Sequence, residues 1–186
     1  MSVKHISNAI LGVAVDDTTL DLFESQYPVP TGVSYNSYVI LDEKTTILDT
    51  VDNRATEEWL ANLTEALDGR KPEYLIVSHM EPDHGANIAK LAALYPEMKV
   101  VGNAKTFQYM DQFFGPEAVA KDRRVTVKDG ESLNLGSHTP SGTTSLSAPT
   151  AAPPTTGTAG KRSGPVCTAP SMPPGLSGSP RSAPRP

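Results

Sequence analysis

Tyr74-Leu75-Ile76-Val77-Ser78-His79-Met80-Glu81-Pro82-Asp83-His84 is the stretch that decides the fold. A short apolar run with β-branched residues reads as a buried strand. It runs straight into two imidazoles and two carboxylates within six residues. In an extended segment leaving a strand, residues at i, i+2 and i+4 point the same way, so His79, Glu81 and Asp83 can face one site. His84 then swings in from the first turn of a following helix. Asp83 near that helix start is electrostatically comfortable. Ligands this close strain to serve one small ion, so two metals sharing a site is the natural reading. With no sulfur donor, this set suits iron or manganese and permits zinc. Glu81 adds a negative charge that favours a more oxidised pair and tilts the choice toward iron. The bland alternative is a polar, solvent-facing turn, which rarely gathers four ligand-type residues.

Upstream, Leu11–Val15 is a first strand signal. Tyr35–Leu41 and Thr45–Leu48 form a hairpin pattern around Asp42-Glu43-Lys44. Ala55, Trp59, Leu60, Leu63, Ala66 and Leu67 then recur at helical spacing. Asp52 or Asn53 is a plausible cap for that helix, and Gly69 ends it. Downstream, a helix is expected from about Asp83 to Leu94, closed by Pro96. A strand at Lys99–Val101 and a short helix at Thr106–Phe113 follow. Arg124–Val127 with Ser132–Leu135 is expected to form a last hairpin around Asp129-Gly130. Hairpins followed by alternating helix and strand fit an α/β layered fold. Trp59 reads as core, Met80 as packing and Pro82 as a stiffener of the turn. His5 and His138 read as surface histidines.

Composition divides the chain. From Thr139 to Pro186, 39 of 48 residues are Pro, Gly, Ser, Thr or Ala, with no acid and no aromatic. So little apolar surface cannot offset the entropy of ordering it, and residues 139–186 are expected to be a disordered tail. That tail carries +4 and the chain −5, leaving −9 on residues 1–138. An acidic folded part argues against a nucleic-acid role. No apolar run approaches membrane-helix length, and the N-terminus lacks a signal-peptide core, so a cytoplasmic location is the default expectation. The single cysteine, Cys167, lies in the tail, too isolated for a disulfide or a thiolate metal site.

The run His79-x-Glu81-x-Asp83-His84 before Gly85-Ala86-Asn87 resembles the flavodiiron proteins (A-type flavoproteins), specifically their N-terminal metallo-β-lactamase-like domain. Gly32-Val33-Ser34-Tyr35-Asn36-Ser37-Tyr38 and Ile47-Leu48-Asp49-Thr50-Val51 are similar to that family too. Glu81, where metallo-β-lactamase hydrolases carry a histidine, is the discriminator. The resemblance covers residues 1 to about 138. It implies a partial αββα sandwich and a non-haem di-iron oxidoreductase that reduces dioxygen to water or nitric oxide to nitrous oxide. His79 and Glu81 would bind one iron, and Asp83 and His84 the other. Electrons in the family come from FMN in a following flavodoxin-like domain, supplied by rubredoxin or a similar partner. The family enzymes form head-to-tail homodimers. No general acid or base is nominated.

The chain departs from this pattern after His138. The family needs a histidine, a bridging aspartate and a last histidine downstream, yet residues 139–186 contain no histidine, aspartate or glutamate. No flavodoxin-like segment follows, so no FMN site is assigned. An abrupt switch to Pro, Ala, Gly, Arg, Ser and Thr fits a frameshift product. A genuine linker is the rival reading. Two functional alternatives stay open beside the oxidoreductase: a metallo-β-lactamase-type metal-dependent hydrolase, or a catalytically inactive fragment. Half a sandwich would leave one apolar sheet face uncovered and the chain poorly soluble or partly unfolded.

Overall fold

A computed structural model of the chain describes residues 3–23 and 26–140. The expectation of a disordered tail at 139–186 falls, beyond Pro140, outside the described residues. In chain order the elements are β1 (Lys4–His5), β2 (Ile10–Gly12), β3 (Val15–Asp17), β4 (Leu22–Phe23), β5 (Tyr27–Pro28), β6 (Val33–Tyr35), β7 (Tyr38–Ile40) and β8 (Thr46–Leu48). There follow α1 (Thr56–Leu67), β9 (Tyr74–Ile76), α2 (Pro82–Gly85), α3 (Ile88–Leu94), β10 (Lys99–Gly102), α4 (Ala104–Phe114) and β11 (Arg124–Thr126).

One seven-stranded sheet runs in the order β1-β2-β7-β8-β9-β10-β11, with two small ladders, β3-β6 and β4-β5, beside it. The β7–β8 hairpin is antiparallel, as its turn chemistry implies. From β8 onward the strands are parallel, because a helix stands between each pair: α1 before β9, α2 and α3 before β10, α4 before β11. The class is therefore α/β.

Alternation along the strands sorts the core. Ile47, Leu75 and Val100 face a cluster that includes Trp59 and Leu63 of α1, Ile88 and Leu91 of α3, and Phe107 and Met110 of α4. Their sequence neighbours Leu48, Ile76 and Val101 turn to the opposite face and pack with half-buried Tyr38, Tyr74, Val125, Val127 and Leu133. The helices form for local reasons. Asp52 accepts from the Arg54 amide at 2.9 Å and opens a short 3-10 turn into α1. Glu57 and Glu58 lie in the first turn of α1, and Asp68 ends it in the left-handed region at φ 45°. Asn103 caps α4 through the Thr106 amide at 2.9 Å.

Four expectations are corrected. The Leu11–Val15 and Tyr35–Leu41 runs each break into two strands, because the chain passes from one sheet to the other at Val13-Ala14 and at Asn36-Ser37. The Val13 amide donates to the Ser37 carbonyl at 2.9 Å and holds the two crossings together. The Asp83–Leu94 helix is two, α2 and α3, parted at Ala86-Asn87. Residues 132–135 do not pair with β11. Leu133 and Leu135 instead donate to the Pro140 and His138 carbonyls, both at 2.9 Å, while β11 lies parallel to β10.

Candidate metal centre

The site lies at the C-terminal ends of the parallel strands β8 and β9, where strands turn into helices and backbone groups open outward. Asp49 follows β8 and Ser78-His79 follows β9. Glu81 is extended (φ −68°, ψ 154°), and Pro82 starts α2 at the position where a missing amide costs nothing. Asp83 and His84 therefore stand on the helix itself. This corrects the expectation that His79, Glu81 and Asp83 share one face of an extended segment.

The structure sorts the four residues into two pairs. His79 Nε2 lies 2.8 Å from Glu81 Oε1, and His84 Nε2 lies 3.4 Å from Asp83 Oδ2. The two imidazole rings are edge-on, with centroids 5.7 Å apart. The first pair is half exposed and borders an open cavity of about 420 Å³, lined also by Met80, Lys105, Tyr109 and Phe113. The second pair is more buried.

Sequence reasoning missed Asp49. Its side chain is 8% exposed, and its backbone sits in the left-handed region at φ 55°, which aspartate tolerates better than most residues. Its Oδ1 accepts the Ser78 amide at 2.7 Å, and its Oδ2 takes the Ser78 hydroxyl. Oδ2 also lies 3.2 Å from His84 Nδ1. An Nδ1–H donated to Asp49 leaves Nε2 its lone pair for a metal. The signal available in the sequence was an aspartate directly after a buried strand. A second support is backbone: Thr50 donates through its amide (2.9 Å) and hydroxyl (2.7 Å) to the His84 carbonyl. Buried Asn87 ties this to the rest, with its amide on Thr50 Oγ1, its Nδ2 on the Val51 carbonyl, and its Oδ1 taking the Thr56 hydroxyl.

The electrostatics follow from this packing. Burial pushes the Asp83 carboxyl above the usual carboxylate range, opposed by His84 and by its own amide. The hydrogen bond to Asp49 raises His84, partly opposed by burial. Asp83 Oδ1 is buried and meets no hydrogen-bond donor from another residue. A buried, unpaired carboxylate oxygen beside an oriented imidazole is what a cation would satisfy. The oxygen and nitrogen donors fit iron, manganese or zinc. Each pair supplies only two donors, and among the described residues no three His, Cys, Asp or Glu side chains converge on one point. The residues thus fit half of a two-metal centre.

The family model for the metallo-beta-lactamase superfamily matches residues 30–165. The chain belongs to that superfamily. Within the metallo-beta-lactamase superfamily its similarity runs to flavodiiron proteins. It is 30% identical over 136 residues to flavo-diiron protein FprA2 of Clostridium acetobutylicum, covering 73% of this chain and 33% of that one. It is 32% identical over 133 residues to the anaerobic nitric oxide reductase flavorubredoxin of Pectobacterium atrosepticum, covering 71% of this chain and 26% of that one. Among solved structures, rubredoxin oxygen:oxidoreductase from Desulfovibrio gigas superposes with a TM-score of 0.68 at 28% identity, covering 74% of this chain and 34% of that one. The chain thus spans about a quarter to a third of the length of these relatives. Among the described residues, no helix is long and apolar enough to cross a membrane.

Proposed function

We propose that residues 1–138 are the metal-binding portion of a flavodiiron-type oxidoreductase, with His79 and Glu81 serving one iron and Asp83 and His84 the other. The observation that carries this reading is the sorting of the four side chains into those two pairs, at 2.8 and 3.4 Å, with Asp83 Oδ1 left for a cation. A bound di-iron pair would supply the electron-transfer chemistry that reduces dioxygen with four electrons and four protons to two waters. The same chemistry would cover reduction of two nitric oxide molecules, with two electrons and two protons, to nitrous oxide and water. This chain's own residues do the holding. Asp49 fixes the His84 tautomer, Thr50 anchors the α2 carbonyl, and the carboxylates of Glu81 and Asp83 temper changes of charge at the site. Lys105, Tyr109 and Phe113 border the cavity through which a small substrate reaches His79 and Glu81.

The relatives' names support a flavin and an electron donor of the rubredoxin class by likeness; FMN in a further domain, a homodimer and a cytoplasmic setting rest on the family resemblance alone. A second reading has an observation of its own. With two donors per pair and no third among the described residues, the chain on its own would hold metal weakly and turn over nothing. Anaerobic titration of the full chain with ferrous iron, followed by Mössbauer spectroscopy, separates the two. An antiferromagnetically coupled pair after oxidation supports the first reading. Isolated high-spin iron, or none, supports the second. A site that takes zinc in preference to iron would favour a hydrolase instead.

A further inference from the structure

The turn between β7 and β8 holds a second cluster of interactions, far from the metal residues in sequence. Asp42 Oδ1 accepts the Ser137 amide at 3.0 Å and the Glu43 amide at 2.8 Å. Asp42 Oδ2 accepts the His138 amide at 2.7 Å and lies 2.7 Å from His138 Nδ1. The Asp42 side chain is 4% exposed; its two contacts with His138 are part-buried, and those with Ser137 and Glu43 lie at the surface. Lys44 adds two more links, its amide to the Leu135 carbonyl at 3.0 Å and its Nζ to the Asn134 carbonyl at 3.1 Å. The approach is close enough to require glycine at 136. Its φ is 122°, and a Cβ there would stand 2.6 Å from Asp42 Oδ1.

What this cluster grips is a small hairpin, Leu133 and Leu135 against Pro140 and His138. Leu135 is fully buried, and Leu133 packs on Leu48, Ile76 and Val101, the sheet face opposite the helices. Two main-chain hydrogen bonds alone make a marginal hairpin. A carboxylate collecting two of its turn amides makes charge-assisted bonds, which are about twice as strong as neutral ones. We infer that residues 133–140 form a strap across the sheet face opposite the helices, and that Asp42 is the clasp that seats it. The strap opens as a local unit when the clasp is lost, uncovering Leu48, Ile76 and Val101 while the helix side stays folded. His138 adds its imidazole to the clasp but is not the clasp, because two backbone amides reach Asp42 without it.

Amide hydrogen exchange on the full chain tests this, with fluorescence of a hydrophobic dye as the second reading. In Asp42→Ala the amides of Leu133, Leu135, Ser137 and His138 should exchange about tenfold faster or more, with α1 and β9 unchanged and dye binding increased. His138→Ala should move them much less. Unchanged exchange at those amides, or acceleration only in step with α1, would overturn the strap. Equal effects of the two variants would overturn Asp42 as its clasp. If Asp42→Ala does not fold, Gly136→Ala decides by the same readings, since it attacks the clasp from the strap side.

Discussion

Asp49 shows how one residue can organise a site without being a ligand. It spends a buried carboxylate and a left-handed backbone on three tasks: the Ser78 amide, the Ser78 hydroxyl and His84 Nδ1. Asp49→Ala should therefore weaken divalent-metal binding about 10- to 100-fold, read by calorimetric titration, while His5→Ala changes nothing. An unchanged affinity in Asp49→Ala would remove its orienting role. Asp42 makes a pH prediction. The Ser137 amide, with the Glu43 amide and the side chain and amide of His138, holds its carboxyl well below the usual carboxylate range against the opposing effect of burial. Its folded value is depressed, so its contribution is complete above the ordinary range near ~4 and is lost as pH falls through the folded value. The titratable side chain in contact with it is the imidazole of His138. The Ser137 and His138 amide resonances should keep their native positions down to about pH 3. Movement of both near pH ~4, where an ordinary aspartate titrates, would contradict this. Of these residues only the His79–His84 run announced itself in the sequence, because its ligand-type residues fall within six positions. Asp49 and Asp42 act on partners 29 and 95 residues away, and the one local mark was the place of Asp49 directly after a buried strand.

Among the elements, α3 is held at its end by a single side chain. Arg123 donates to the carbonyl of Ala92 (3.1 Å) in the last turn of α3 and to those of Tyr95 (2.9 Å) and Met98 (2.9 Å) just beyond it, tying the helix end to the loop that follows. Arg123→Ala should lower the midpoint of the helix signal in a circular-dichroism melt by about 5–10 °C. Arg123→Lys should recover less than half of that, since a point charge cannot serve three carbonyls as a planar fork does. Equal melting of the lysine variant and the parent would show the fork geometry to be irrelevant. The periodic elements were the legible ones. α1 was marked by Ala55, Trp59, Leu63 and Ala66, and the β7–β8 hairpin by its polar turn. Sheet switching at Val13-Ala14 and Asn36-Ser37 was hidden, because an apolar run looks the same whether it feeds one sheet or two. The expected last hairpin failed for a related reason. Asp129-Gly130 does turn the chain, with Gly130 at φ 81°, but β11 had already found β10 as a parallel partner.

For the whole molecule the decisive feature is asymmetry between the two faces of the main sheet. Among the described residues, twenty-two buried apolar side chains form the cluster on the helix side and only three the cluster on the other. Burial scales with stabilisation, so the helix side should hold while the strap side loosens. Calorimetry should then give a broad transition preceded by dye binding, and a single sharp cooperative peak would contradict this. The acidic charge and α/β class were legible from composition and element order alone. How two ligand pairs would be shared between two metals came from the family resemblance and not from the spacing, because that depends on how α2 leaves β9. The central claim is that His79 with Glu81 and Asp83 with His84 each serve one iron. Elemental analysis of the purified full chain, beside His79→Ala and His84→Ala, tests it most directly. The account predicts iron bound to the parent, with each substitution removing a separable part of it. Metal content that neither substitution changes would contradict it.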